Sequence, residues 1–280
     1  MANVLLDAAA AWLRGQGRSA MRGPLSFTMT DEVGVLIDGF GDMPRIMMPY
    51  NHPYYPDLLE AYGLAKAMDL YAYHLDMKKL YGGTPEGTAT QAHPGDREAQ
   101  AAGQVHRPQA GPEAIRRGGG EGQRHLHRGL GETGARWVLP TTSSAHYAAA
   151  MKPAPDPDLA FFIEIEGKPV GVALCLPDAN LVLKKMNGHL FPFGFIQALR
   201  YQKKISWVRV WALGVLPDYR HLGVEAVMIY EIATQAMRKG MLDIEASWVL
   251  ENNIDARKSV EGMGAETTKP IGCTRRGCDA

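Results

Sequence analysis

Apolar residues recur one helical turn apart in several parts of the chain, and a glycine ends the longer patterns. Residues 4–13 follow this spacing and are closed by Gly15 and Gly17. Residues 224–239 follow it up to Gly240. Both patterns predict amphipathic helices. Two shorter helices are expected over residues 57–62 and 256–262.

Short apolar runs between turn residues predict the strands of a sheet. Two of these runs, residues 159–165 and 170–176, flank a Glu-Gly-Lys-Pro turn and predict a β-hairpin. From Leu139 onward the predicted order is hairpin, strand, loop, helix, strand and helix. This order fits an α/β fold in which helices cover a mixed sheet. The other predicted strands cover residues 33–37, 68–75, 206–216 and 242–250.

Composition limits the partners that the chain is expected to have. Of its 280 residues 46% are hydrophobic, and 30 basic residues balance 30 acidic ones. Because general nucleic-acid and anionic-membrane binders carry a basic excess, neither partner is expected. No run reaches the roughly 18 apolar residues of a membrane span, and the N-terminus lacks the features of a secretion signal. Three cysteines without a second ligand pair indicate a reducing cytoplasm and no metal site.

The amino-acid composition changes twice along the chain and divides it into three sections. Residues 1–80 and 138–280 have globular patterns, whereas residues 81–137 are rich in Gly, Pro, Gln, Arg and His. The middle section holds too little apolar surface to offset its chain entropy, so it is expected to lack regular packed structure. The alternative is a misread coding frame. Shifted frames allow a strand and a helix over residues 103–132 and a last strand over residues 270–276.

The segment from Leu213 to Ala226 predicts a ligand site. An apolar strand runs into a turn at Pro217, and this loop opens the helix that begins at Val224. Backbone N–H groups at such a loop meet the positive end of the helix dipole, and Gly223 lets the backbone approach an anion closely. A pyrophosphate fits this loop, with an extended ligand along the strand edge; the alternative is an ordinary strand-to-helix turn. The residues expected to contact the ligand are Leu213, Gly214, Val215, Arg220, His221, Leu222, Gly223 and Val224.

The pattern Val-x-Pro-x-Tyr-Arg-x-x-Gly at residues 215–223 resembles the acyl-CoA loop of the GNAT (N-acetyltransferase) superfamily, written R/Q-x-x-G-x-G/A. A second pattern, Asn253-x-x-Ala256 followed by Gly264, is similar to that superfamily's N-x-x-A-x-x-x-Y-x-x-x-G. The resemblance covers residues 139–269. It implies a GNAT-type fold with a mixed, mostly antiparallel sheet flanked by helices. It also implies acetyl-CoA as co-substrate, with Asn253 as a further contact.

The same resemblance implies that an acyl group, expected to be acetyl, passes from CoA to an amine. Backbone amides of a bulged central strand, near residues 213–215, would polarise the thioester carbonyl. A base must accept the proton that the amine loses. Glu245, within the strand predicted at residues 242–250, and Glu251, directly after it, are the candidate bases. The alternative for each is a solvated surface carboxylate.

Two positions depart from the superfamily pattern and keep other functions open. Glu225 replaces the last small residue of the phosphate loop, and Val260 stands where many members carry a tyrosine general acid. Both favour a catalytically decayed acyl-CoA-binding or regulatory module. A tRNA-dependent aminoacyl transferase is a further alternative, which the neutral charge disfavours. The acceptor amine and the oligomeric state are not specified by the sequence. An aromatic run at residues 191–195 either covers an acyl or acceptor pocket or packs into the core.

An internal similarity suggests a tandem duplication. The helix that ends at Gly17 matches the one that ends at Gly240. Asn51 with residues 59–63 matches Asn252 with residues 260–264 at identical spacing. Residues 1–80 would then be the latter half of a first GNAT-like unit, and the second unit would be the more complete of the two.

Overall fold

The structure is a computed structural model. It describes residues 1–26, 32–87, 105–106, 156, 158–187, 189 and 194–277. Most of the low-complexity section and the aromatic residues 191–193 therefore lie outside the described residues. The chain divides into two compact units, Met1–Tyr73 with Ser247–Ala280 and His74–Ala246. The three sections inferred from amino-acid composition stay a prediction.

The described helices are α1 (Ala2–Gly15), α2 (Tyr55–Ala61), α3 (Met77–Tyr81), α4 (Asn180–Met186), α5 (Gly194–Tyr201), α6 (Val224–Arg238) and α7 (Ile254–Gly262). The described strands are β1 (Ala20–Gly23), β2 (Leu25–Ser26), β3 (Glu32–Val33), β4 (Val35–Leu36), β5 (Ala65–Asp76), β6 (Val105–His106), β7 (Ala160–Ile165), β8 (Lys168–Pro177), β9 (Trp207–Val215), β10 (Asp243–Leu250) and β11 (Glu266–Gly277). The helices and strands predicted from periodicity are confirmed, except that the strand at residues 33–37 is divided in two.

Gly34 divides that strand. Its φ of +75° belongs to the left-handed region. A Cβ atom at Gly34 would lie 2.7 Å from the carbonyl oxygen of Gly272 and from the Cγ2 atom of Ile271. Only glycine fits this close approach of two backbones, so β3 and β4 are separate strands. β3 pairs with β2, and β4 pairs with β11.

Strand β11 forms in the sequence as written. It pairs antiparallel with β1 from Gly277 to Thr274, and with β4 at Ile271 and Gly272. Lys269 is buried in this strand, and its Nζ atom lies 2.8 Å from an Asp42 carboxylate oxygen and 2.8 Å from the Met43 carbonyl oxygen. A last strand at this place therefore requires no change of reading frame.

Helix ends in the two halves of the chain share one hydrogen-bond pattern. After α2 and α7 the chain turns at Gly63 and Gly264, with φ of +90° and +86°. At each, the glycine N–H donates to the carbonyl three residues earlier, and the next N–H donates to the carbonyl five residues earlier. Gly17 and Gly240 end α1 and α6 with the same two bonds. Strands β5 and β11, which follow Gly63 and Gly264, are each 12 residues long.

The second unit contains a mixed, mostly antiparallel sheet. Strands β6, β7, β8 and β9 pair antiparallel in that order, and β10 pairs parallel with β9. The fold class expected from the sequence is therefore confirmed. Helix α6 covers one face of β8, where Gly171 provides the space: a Cβ atom there would lie 2.8 Å from the sulfur of Met228.

Candidate functional site

Strand β9 loses one of its neighbours halfway along its length. Its parallel pairing with β10 runs from Trp207 opposite Asp243 to Val210 opposite Ala246. Within the described part of the second unit, β9 continues to Val215 with only β8 beside it. The backbone groups of this second half are therefore open on one edge, as an extended ligand would need.

A β-bulge determines which backbone groups face that open edge. The pairing with β8 changes register between Ala212, opposite Leu174, and Val210, opposite Cys175, so Trp211 is the extra residue. The sequence predicted a bulged strand with its carbonyl-polarising amides near residues 213–215; β9 is bulged, and the extra residue is Trp211, two residues before that segment. Local apolar runs do not reveal a bulge, because the register depends on the neighbouring strand.

The orientation of β9 after the bulge follows from one hydrogen bond. The Leu216 N–H donates to the Val170 carbonyl at 2.9 Å, so Leu216 faces β8. Because antiparallel backbone groups alternate between the two edges of a strand, Gly214 also faces β8, and Leu213 and Val215 face the open edge. Two of the predicted ligand-contact residues thus present their N–H groups there, whereas Gly214 does not.

The loop after β9 forms the predicted strand-to-helix junction. Residues Pro217–Leu222 make a 3-10 helix, and Gly223 follows with φ of +72° as the N-cap of α6. The Arg220 Nε–H donates to the Val215 carbonyl at 3.3 Å, which ties the loop to the end of the strand. The prediction that residues 220–225 form a loop at a helix N-terminus after a strand is confirmed. Leu222 is exposed, and the His221 side chain lies outside the described residues.

The start of α6 provides hydrogen-bond donors for an anion. Its first-turn N–H groups have no acceptor within the helix, and the helix dipole adds partial positive charge there. A Cβ atom added at Gly223 would have no described atom within 4 Å. An anion can therefore reach the backbone at this point, next to the open edge of β9.

Two side chains at this junction modify its charge in opposite directions. Glu225 occupies the first turn of α6, where the helix dipole stabilises a carboxylate but where an anionic ligand is repelled. The exposed Lys168, at the start of β8, places its Nζ atom 3.4 Å from the Tyr219 hydroxyl and 5.4 Å from the centre of the Tyr219 ring. The sequence did not predict Lys168 at this junction, because the only local signal there is that of a hairpin turn.

Glu245 is enclosed in the second unit rather than exposed on its surface. It is only 1% accessible and pairs in register with the equally buried Arg209 on β9. Burial lowers the pKa of Arg209 to about 10, and the charges of Glu245 and Asp178 oppose that lowering. The interpretation of Glu245 as a solvated surface carboxylate is therefore wrong. Its carboxylate compensates a buried guanidinium, which limits its access to a substrate.

Glu251 lies in the first unit in a half-exposed ion-pair network. Its carboxylate is 2.7 Å from the Lys66 Nζ atom, and Lys66 also contacts Asp69 at 2.7 Å. The hydrogen bond from Lys66 lowers the pKa of Glu251 despite an opposing effect of partial burial. Glu251 is therefore an ionised carboxylate at neutral pH.

The second sequence pattern forms the start and one face of α7. The Asn253 side-chain oxygen accepts a hydrogen bond from the Ala256 N–H at 3.3 Å, so Asn253 is the N-cap of the helix. Val260 is buried on the same helix. The fully buried Tyr73 donates its hydroxyl hydrogen to Glu261 at 2.8 Å and accepts from Arg257 at 3.2 Å. Whether Asn253 also contacts a ligand stays a prediction.

Comparison with known proteins identifies relatives over nearly the whole chain. Residues 135–264 match the model of the acetyltransferase (GNAT) family. Protein YghO of Escherichia coli K12 is 29% identical over 284 residues, which are 95% of this chain and 67% of that protein. A protein named Bacterial ceramide synthase, from Caulobacter vibrioides, is also 29% identical, over 94% of this chain and 68% of its own length.

A solved structure supports the fold. A GCN5-related N-acetyltransferase from Sphaerobacter thermophilus superimposes with a TM-score of 0.52 at 13% sequence identity. The match covers 84% of this chain and 61% of that protein. The similarity shows that the two chains share a fold.

Proposed function

We propose that this chain, which belongs to the GNAT superfamily, is an acyl-CoA-dependent N-acyltransferase that transfers an acyl group, expected to be acetyl, to an amine. The observation that carries the proposal is the geometry of one segment inside the family match. The open edge of β9, from Trp211 to Val215, leads directly to Gly223 and the first turn of α6. An elongated thioester with a pyrophosphate at one end has the shape and charge that this segment can bind.

In the proposed reaction the amine nitrogen attacks the thioester carbonyl carbon, an amide bond forms and the carbon–sulfur bond breaks. The amine loses a proton, and CoA leaves as the thiol. The first-turn N–H groups of α6 bind the pyrophosphate, with Lys168 adding a positive charge. The Leu213 and Val215 N–H groups bind the extended arm, and the backbone beside the Trp211 bulge donates to the developing oxyanion.

Turnover is the experiment that tests this function. The chain is mixed with acetyl-CoA or a long-chain acyl-CoA and a panel of amines, and released CoA is followed with a thiol reagent. The proposal expects amine-dependent thiol release and a new amide detected by mass spectrometry. Thiol release without any amide, or no release with any donor and amine, contradicts it.

The relatives support one class of acceptor in particular. A ceramide is the N-acylated form of a long-chain amino alcohol, and one relative is named for its synthesis. We therefore include a long-chain amino alcohol and a long-chain acyl-CoA in the panel, beside small hydrophilic amines and acetyl-CoA. A preference for the long-chain pair would replace acetyl as the transferred group while leaving the reaction type unchanged.

The two candidate bases, Glu251 and Glu245, are each tested by replacement with glutamine. Glu251→Gln is expected to lower kcat about 100-fold, the lower end of general-base effects, with little change in the melting temperature because its ion pair is half exposed. The enclosed Glu245 is expected to affect stability instead. Full activity of Glu251→Gln would exclude Glu251 as the base.

A catalytically decayed acyl-CoA-binding module is the second candidate function. The observations that favour it are the buried Val260 at the position of the family's tyrosine and the carboxylate of Glu225 in the first turn of α6. Such a module would bind acetyl-CoA in a calorimetric titration and release no thiol with any amine. Binding and turnover therefore separate the two candidates.

Glu225→Ala is expected to tighten acetyl-CoA binding several-fold at low salt and less at high salt. Removing a carboxylate near several phosphate charges changes the electrostatic energy by about 1 kcal/mol before screening. The same change removes a favourable interaction with the α6 dipole, so a slightly lower melting temperature is expected. Calorimetric titration at two salt concentrations measures the effect. Weaker binding would mean that Glu225 supports the loop.

We also propose that the chain carries two GNAT-like repeats, residues 1–80 and residues 138–280, of which the first is less complete than the second. These repeats have other bounds than the two compact units described above. The matching helix ends at Gly17 and Gly240 support this proposal, and so do those at Gly63 and Gly264. If α1 and α6 are aligned on their terminal glycines, corresponding residues differ sharply in exposure. Three apolar side chains on α1 are 66–69% exposed, whereas the residues aligned with them on α6 are buried. The three pairs are Val4 with Val227, Leu5 with Met228, and Trp12 with Gln235.

The location of the proposed reaction follows from its donor and from the cysteine pattern. Within the described residues every helix is too short or too polar to cross a bilayer. Since the chain has few cysteines and the proposed donor is a CoA thioester, we place the reaction in the cytoplasm.

A further inference from the structure

Two helices between β8 and β9 expose an unusual amount of apolar surface. Helices α4 and α5 occupy the connection between these strands, although antiparallel neighbours need only a short hairpin. Four of their large apolar side chains are 44–59% exposed, namely Leu183, Phe195, Ile196 and Leu199. Phe195 and Leu199 are one turn apart on α5, with Ile196 beside them, so three of the four lie on one face of that helix.

The charges around these side chains all have one sign. Residues 179–206 contain no Asp or Glu, and their five basic residues are all exposed: Lys184, Lys185, Arg200, Lys203 and Lys204. The whole chain is neutral, so the remainder carries five more acidic than basic residues. The net charge of zero is therefore the sum of a locally basic segment and an acidic remainder, and it does not predict this basic surface.

The position of these helices separates them from the acyl-donor loop. Helix α5 is followed by a 3-10 helix, Gln202–Lys204, and then by the start of β9 at Trp207, whereas Gly223 follows the opposite end of the same strand. A ligand of this surface would therefore not compete with an acyl-CoA pyrophosphate. It would lie at the end of β9 that the proposed donor does not occupy.

We infer that the α4–α5 surface, defined by Leu183, Phe195, Ile196, Leu199 and the five basic residues, docks onto an anionic phospholipid membrane. Helices that combine exposed Phe and Leu with flanking Lys and Arg bind in the plane of a membrane interface. The apolar side chains enter the acyl boundary, and the basic side chains contact anionic headgroups. The four large apolar side chains favour a lipid surface over an acidic protein, which charge alone would also attract. This inference revises the expectation, drawn from net charge, that the chain has no membrane partner.

Vesicle sedimentation of the full chain tests the inference. Vesicles of phosphatidylcholine and phosphatidylglycerol in equal parts are compared with vesicles of phosphatidylcholine alone. The chain is expected to sediment with the anionic vesicles and not with the neutral ones, and added salt should weaken the binding. No sedimentation with anionic vesicles, or equal sedimentation with both, overturns the inference. In the first case an acidic protein becomes the candidate partner.

Two double variants separate the contributions of charge and apolar contact. Lys203→Gln with Lys204→Gln, and Phe195→Ser with Leu199→Ser, are each expected to weaken vesicle binding at least about tenfold, which corresponds to about 1.4 kcal/mol. Matched controls are Lys78→Gln with Lys79→Gln on α3 and Leu58→Ser on α2, which change exposed residues elsewhere. All variants should retain acetyl-CoA affinity, which confirms that they are folded. Equal vesicle binding by the surface variants and the controls would overturn the inference, whatever the result of the turnover experiment.

Discussion

Gly223→Val is expected to weaken acetyl-CoA binding at least about 100-fold, which corresponds to about 2.7 kcal/mol. The Cβ direction at Gly223 points into space that no described atom fills, beside the first-turn N–H groups of α6. A branched side chain would occupy that space and prevent the backbone from approaching a pyrophosphate. Calorimetric titration with acetyl-CoA measures the loss.

The same substitution also strains the backbone, so it needs a control with equal strain. Gly240, at the other end of α6, has φ of +75°, close to the +72° of Gly223, and a Cβ atom added there would likewise meet no described atom within 4 Å. Gly240→Val should therefore lower the melting temperature about as much as Gly223→Val and leave acetyl-CoA binding unchanged. Equal loss of binding in both variants would mean that strain, rather than blocked access, explains the result.

Glu245→Gln is expected to lower the free energy of unfolding by about 3–5 kcal/mol. Its carboxylate compensates the charge of Arg209, and both residues are 1% exposed. Removing the Glu245 charge leaves the buried Asp178 as the other carboxylate that opposes desolvation of the Arg209 guanidinium, so the buried positive charge is compensated less well. Urea unfolding measures the change. Glu60→Gln, at an exposed position on α2, should change the same free energy by less than about 0.5 kcal/mol.

The double variant Arg209→Met with Glu245→Met gives a sharper test of this pair. Because the double variant removes both charges of the strand pair together and leaves only the buried Asp178, it should be less unstable than the sum of the two single variants. A double variant as unstable as the sum of the single ones would show that the two side chains act separately. Catalytic loss in Glu245→Gln without loss of stability would instead favour Glu245 as the base.

The sequence is sufficient to predict the strand-to-helix junction at the centre of the candidate site. The apolar run that becomes β9, the turn at Pro217 and the periodicity of α6 are local signals, and local signals determine where a strand ends and a helix begins. Gly223 is recognisable because glycine adopts a positive φ without steric cost, and the chain needs one, +72°, where it enters α6. The position of this loop in the chain therefore follows from the sequence alone.

The features that sequence patterns did not predict correctly depend on contacts between residues distant in the chain. The bulge at Trp211 arises from the register between β9 and β8, which no local pattern records. The side chain of Glu245 could be expected at the surface because charged side chains are usually exposed. Its burial follows from its position opposite Arg209 on a neighbouring strand. Strand β11 is not evident in the sequence as written because its glycines and arginines lack the alternation typical of a strand.

The most direct test of the central claim is a calorimetric titration of the unmodified chain with acetyl-CoA. If the open edge of β9 and the start of α6 form an acyl-CoA site, the titration should show one site per chain, and its affinity should fall as salt screens the pyrophosphate. Absence of binding at low salt, by a chain whose melting transition shows that it is folded, would contradict both the acyltransferase and the binding module.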